Sequence, residues 1–152
     1  MQITGQILES DYPAVERINY SSVQKIKKML YILERANLLN LLSSEAASLK
    51  NMSKPDKIFC DNTNIMYSLT ETINVGTKRE TFFLNQLRSA GHTVTYPRQG
   101  DFMVDGRYLF EVGGKSKSFD QIKDIPDSYL AIDDEEIGRG NKIPLWMFGI
   151  MY

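Results

Sequence analysis

The sequence has a single cysteine, Cys60. That excludes an internal disulfide and fits a reducing compartment. It has no apolar run of 18 residues, so no membrane-spanning helix is predicted. Its first residues, MQITGQILESD, lack the basic start and long apolar core of a secretion signal. A cytoplasmic protein is the resulting expectation. No charge sign dominates either, because 18 basic residues against 19 acidic ones leave a net charge of −1. That balance does not draw the chain to nucleic acid, and any such binding must come from a local patch. What is present is ordinary for a globular protein: 152 residues, 42% hydrophobic and 24% charged. This suffices for one domain with a short extension.

One further absence decides between two chemistries. The stretch FEVGGKSKSF, residues 110–119, contains a Gly-Lys-Ser triplet that resembles the end of a phosphate-binding loop. The motif G-x-x-x-x-G-K-[ST] needs a glycine at position 109. Leu109 stands there, and the nearest earlier glycine is Gly106. Without that glycine the amide-lined cradle for phosphate cannot form. The chain is expected to bind no ATP.

The pattern divides the chain into a helical extension, residues 1–55, and an α/β domain, residues 56–152. In the extension, SSVQKIKKMLYILERANLLNLL carries apolar residues at helical spacing, with Ser21 or Ser22 as N-cap. Its lysines, Lys25, Lys27 and Lys28, read as a solvated face. SLKNMSKPDK reads as a loop. From Lys57 onward short strands and helices alternate. KIFCDN, TVTYP and SYLAID are predicted strands, and DFMVDGRYLFEV is a hairpin around Asp105-Gly106. TKRETFFLNQLRSAGH is a predicted helix opening on a Thr77–Glu80 capping box and ending near Gly91. SFDQIKDI is a predicted helix capped by Ser118, and NKIPLWMFGIMY a buried C-terminal strand.

Several of these segments carry a resemblance. KPDKIFCDNTNIMYSL, GTKRETFFLNQL, GDFMVDGRYLFEVGGKSK and NKIPLWMFGIMY resemble the C-terminal region of a family of bacterial and archaeal AAA-type ATPases. The resemblance covers roughly residues 8–152. It implies a fold similar to the PD-(D/E)xK restriction endonucleases: a central mixed sheet with flanking helices. It also implies that the chain is a fragment whose ATPase module is missing, and that a winged-helix segment precedes the nuclease-like part. DYPAVERINYSSVQKIKKMLYIL resembles the start of that segment and ERANLLNLL its end. The helix-turn-helix between them is absent, so residues 1–55 are expected to pack on the α/β domain and not to read DNA bases.

A site of this type holds Mg²⁺ between carboxylates on adjacent strands, with a lysine two residues after the second acid. The candidate metal ligands are Glu80, Asp101 and Glu111, and the candidate catalytic residues are Asp101, Glu111 and Lys115. Hairpin register tests the pair. A two-residue loop would put Asp101 and Glu111 on opposite faces. A three-residue loop, with Met103 opposite Arg107, puts them on one face and gathers Phe102, Val104, Tyr108, Phe110 and Val112 on the other. The second register separates polar from apolar residues better. Glu111 within an apolar strand is costly unless it serves a site. The lysine position, however, is filled by Gly113, with Lys115 one strand repeat beyond. The sequence favours an accessory domain with a decayed nuclease-like site, contacting nucleic acid or a partner such as the ATPase module; a working Mg²⁺-dependent nuclease is the alternative. A purely structural or oligomerisation domain is a third. Glu80 serves either as a ligand or as the end of the capping box. His92 and the acidic run Asp133–Glu136 read as solvated loop residues, and Cys60 as a core residue.

Overall fold

A computed structural model describes residues 20–48 and 54–151. The N-terminal stretch MQITGQILESD, and most of the loop expected after Ser48, lie outside the described residues. The first helix, α1, spans Tyr20–Arg35, so Ser21 and Ser22 lie inside it and not at a cap position. It stops where Asn37 takes a left-handed conformation, φ 54°. Asn37 N–H then donates to the Glu34 carbonyl and Leu38 N–H to the Leu33 carbonyl. This pair of hydrogen bonds closes a helix when a left-handed residue follows it, and asparagine is among the few non-glycine residues that adopt that conformation. The helix predicted to run to Leu42 therefore ends early. Its last leucines form a strand, β1, Leu39–Leu42.

After a single helical turn, α2, Glu45–Ser48, strand β2, Lys57–Cys60, pairs antiparallel with β1. This pairing crosses the boundary drawn at residue 55, and Leu42 and Phe59 share one core cluster. Two helices follow, α3, Thr63–Leu69, and α4, Val75–Ser89. The cap of α4 is Asn74, whose side chain accepts from Thr77 N–H at 3.1 Å. The expected Thr77–Glu80 capping box is thereby displaced, and Glu80 is an interior helix residue. At the other end Gly91, φ 88°, closes α4 as the sequence predicts.

A mixed α/β architecture results. A five-stranded sheet runs β3 (Val94–Thr95), β4 (Phe102–Val104), β5 (Tyr108–Gly113), β6 (Ser128–Ile132) and β7 (Lys142–Pro144). The β3–β4 and β4–β5 pairs are antiparallel, and β5–β6 and β6–β7 are parallel. Helix α4 lays Phe83, Leu84 and Leu87 on one face, against Phe102, Val104, Phe110 and Val112. Phe83 is fully buried at the centre, with ring centroids 5.1, 5.2 and 4.7 Å from Phe110, Phe102 and Phe148. The opposite face is covered by the β5–β6 crossover, residues 114–127, through a second cluster of Leu109, Ile122, Leu130 and Ile132.

That crossover is not the helix predicted from SFDQIKDI. It is a series of turns, with Ile122 N–H bonded to the Phe119 carbonyl and Ile125 N–H to Ile122. Pro126 disfavours helical backbone at Ile125, the residue before it. The Ser128 hydroxyl donates to the Ile122 carbonyl at 2.8 Å. The C-terminal segment also departs from a single strand. Only Lys142–Pro144 pairs, and Leu145–Ile150 is a 3₁₀ helix burying Leu145 and Phe148, three residues apart as its period requires. Among the described residues no helix is long and apolar enough to cross a membrane.

Candidate functional site

The β4–β5 hairpin sets the site. Its pairs are Phe102–Phe110, Met103–Leu109 and Val104–Tyr108, leaving a three-residue loop, Asp105-Gly106-Arg107. The register is thus two residues from the expected Met103–Arg107 pairing, and both Asp105 and Gly106 are left-handed. A shift of two preserves which face each side chain takes. The apolar set falls on the α4 face as expected, and Asp101 and Glu111 share the other. Continued by one residue, the ladder stands Asp101 opposite Glu111. The backbone fixes Asp101 there: its N–H donates to the Phe110 carbonyl at 2.8 Å, and its Oδ2 accepts from Val112 N–H at 2.9 Å.

Glu111 lies between Leu109 and Gly113 on β5, with Leu130 beside it on β6, and is 1% exposed. Its Oε2 is buried without a hydrogen-bond partner. Such an atom ordinarily costs about 1–3 kcal/mol, more when charged. Burial pushes the Glu111 carboxyl above the usual range, the Lys117 ammonium opposes this, and Asp101 adds to it. Desolvation, rather than carboxylate repulsion, is the leading cause.

Lys117, and not Lys115, provides the nearby cation. Its Nζ lies 3.6 Å from Glu111 Oε2 and 3.9 Å from Asp101 Oδ2. Lys115 is exposed. The double glycine explains the difference. Lys117 N–H donates to the Gly114 carbonyl at 2.9 Å, closing a tight turn just past the strand. The turn sends the Lys117 stem back across Gly113, where a Cβ would meet its Cβ, Cγ and Cδ at 2.7, 2.8 and 2.9 Å. Gly113 is the position where the motif expects a lysine, and a lysine stem fills its space from elsewhere in the chain.

A second lysine joins from β2. Lys57 Nζ lies 3.4 Å from Glu80 Oε2 and 4.0 Å from Asp101 Oδ1, and 5.3 Å from the centre of the Tyr96 ring. Glu80 therefore meets the pair through Lys57, and burial raises its carboxyl while Lys57 lowers it. The five groups form a chain alternating in sign: Glu80, Lys57, Asp101, Lys117, Glu111. Among the described residues no set of three or more His, Cys, Asp or Glu groups is arranged to hold a metal ion. The ammoniums stand between the carboxylates. The oxygen donors nevertheless suit Mg²⁺, which keeps several waters and needs only one or two carboxylates. The orphaned Glu111 oxygen is a donor already free of competing hydrogen bonds.

Sequence reasoning missed Lys57 and Lys117. The signal for Lys117 was the glycine at the lysine position; alternation along a strand could not find it, because the strand ends at Gly113. The remaining candidates lie away from this chain of charges. His92 Nδ1 lies 2.7 Å from Asp105 Oδ2, and buried Cys60 has its thiol raised by desolvation. Asp133 and Asp134, from the acidic run, pair with Arg79 at 2.9 and 3.6 Å. No protein-family model, curated protein or solved structure matches this chain.

Proposed function

We propose that this chain is a restriction-endonuclease-like domain, accessory to an AAA-type ATPase, whose Asp101–Glu111 pair supports Mg²⁺-dependent cleavage of phosphodiesters in the cytoplasm. The observation that carries the reading is the buried, unbonded Oε2 of Glu111 beside Asp101 and an ammonium. A decayed site has no reason to keep a carboxylate inside an apolar strand, offset only by an ammonium 3.6 Å away. Asp101 and Glu111 are the residues that would hold the ion. Mg²⁺ held there would supply Lewis-acid charge to activate water and to offset negative charge on the phosphoryl oxygens. Lys117 holds a donor beside the two carboxylates, suited to orienting water or a phosphate oxygen. Lys57, partly exposed on the other side of Asp101, offers a second positive charge to a nucleic-acid backbone.

One observation favours a second reading. The alternating ion pairs nearly neutralise one another, so they can persist as a structural network in a decayed accessory domain that only contacts nucleic acid or its partner. Calorimetric titration with Mn²⁺, followed by cleavage assays on single- and double-stranded DNA, separates the two. The nuclease reading expects Mn²⁺ binding and cleavage that Glu111→Ala abolishes. Cleavage unchanged by that substitution would place the activity elsewhere, and no Mn²⁺ uptake at millimolar metal would leave the decayed reading.

A further inference from the structure

We propose that Lys117 is a resident counter-ion that occupies the cation position between Asp101 and Glu111 and must yield it to the divalent ion. This rests on the metal-dependent reading above and adds a device by which the chain restrains its own metal affinity. Three observations carry it. First, the ammonium is shared. It lies 3.6 Å from one carboxylate and 3.9 Å from the other, within ion-pair range but beyond a hydrogen bond to either. A group so placed supplies charge without a directional bond to hold it. Second, the carboxylates have little other neutralisation. Glu111 Oε2 has no hydrogen-bond partner, while Asp101 has only the Val112 N–H on its Oδ2 and a share of Lys57 with Glu80. Third, the lysine has a way out. Its side chain is 32% exposed, against 2% for Glu111, so the ammonium can swing to solvent while the stem stays seated on Gly113.

Charge counting gives the direction. Three carboxylates and two ammoniums leave the group at −1. A divalent cation entering between Asp101 and Glu111 meets an ammonium already there, and like charges at this separation repel strongly in a partly buried site. Entry would therefore displace the ammonium toward solvent. The same lysine thus weakens metal binding in the resting site and stands ready for phosphate in the loaded one.

The test separates affinity from turnover. Mn²⁺ is titrated calorimetrically into the wild-type chain, Lys117→Met, Lys117→Gln and Lys57→Met, with thermal melts in chelator to compare their folding. Methionine keeps an unbranched stem over Gly113 and removes the charge, and glutamine keeps a polar tip. Both Lys117 variants should bind Mn²⁺ about tenfold more tightly than wild type or better, while phosphodiester cleavage falls. Lys57→Met, which alters a cation paired to Asp101 and Glu80 but not to Glu111, should tighten binding less. If wild type binds Mn²⁺ and both Lys117 variants bind equally or more weakly, the counter-ion role is overturned and the metal-site reading survives. If no variant binds Mn²⁺, both fall.

Discussion

Lys117 and Gly113 fit one another as a side chain and the space reserved for it. A Cβ at position 113 would stand 2.7 Å from the Cβ of Lys117. Gly113 has no positive φ that would make it a glycine for backbone reasons. Its lack of a side chain is explained by the lysine alone. Gly113→Ala should therefore destabilise the fold by about 1–3 kcal/mol, the range for forcing an atom into a filled space. The same change made in a Lys117→Gly background should cost much less. A double-mutant cycle from urea midpoints measures the coupling. Additive effects would mean that the contact does not explain the glycine.

The transposed arrangement is also testable. Gly113→Lys combined with Lys117→Gly returns the lysine to the strand, two residues after Glu111, with the obstructing stem removed. Each single change should lose metal-dependent cleavage, and the double change should recover a measurable part of it. Recovery is the informative outcome, since two independent structural lesions would not cancel. A double variant less active than either single one would refute the equivalence of the two positions.

Glu111 should be a residue that weakens the fold it belongs to. Its carboxylate sits among Leu109, Leu130 and Gly113 with one oxygen unbonded. An amide in its place remains polar but carries no charge to desolvate. In chelator, Glu111→Gln should raise stability by about 1 kcal/mol, which for a domain of this size is about 2–4 °C in melting temperature. It should also abolish Mn²⁺ binding. A lower melting temperature would show that the Lys117 pairing outweighs the desolvation cost.

How far the sequence revealed these features follows from the range of each interaction. The strands around Phe59, Phe110 and Leu130, and the facing of Asp101 and Glu111, were legible because alternation is a local property that a register shift of two cannot disturb. Helix ends were legible where glycine marked them, as at Gly91, and were misread where asparagine did the same at Asn37. The turn-rich crossover was misread because Pro126, which disfavours helical backbone at Ile125, lies outside the segment that looked helical. Lys117 and Lys57 reach the carboxylates from a turn and from a distant strand. Spacing along one strand carries no information about either.

Asn74 offers a test of the corrected helix start. Its side chain accepts from Thr77 N–H at 3.1 Å, and Glu80 is turned to Lys57. Asn74→Ala should cost about 1 kcal/mol, as is usual for loss of an N-cap. Thr77→Ala should cost distinctly less, since its side chain is not the cap. Chemical denaturation of the two variants decides between the caps, and a larger loss at Thr77 would restore the capping box.

The last prediction concerns the other glycine of the pair. Arg79 lies on Gly114, where a Cβ would stand 3.0 Å from Nη1 of the guanidinium and 3.1 Å from Nη2. The same guanidinium donates through Nε to Asp133 Oδ2 at 2.9 Å, tying α4 to the end of β6. That hydrogen bond holds the Asp133 carboxyl below its usual range, aided by Asp134 N–H. A carboxyl lowered by folding contributes stability above its unfolded pKa and loses it as pH falls through the folded one. The contribution is small because Asp133 is 37% exposed and solvent screens the pair. Asp133→Asn should therefore lower stability at pH 7 by less than about 1 kcal/mol. The gap from wild type should shrink as pH falls below about 4 and close once the wild-type carboxyl is protonated. Gly114→Ala presses on the same guanidinium, so its effect and that of Asp133→Asn should be less than additive at pH 7. Urea midpoints for the two single variants and the double, taken at neutral and acid pH, check both points. A stability gap unchanged at acid pH would assign the Asp133 effect to packing, and full additivity would show that Gly114 is required for something other than the seat of Arg79.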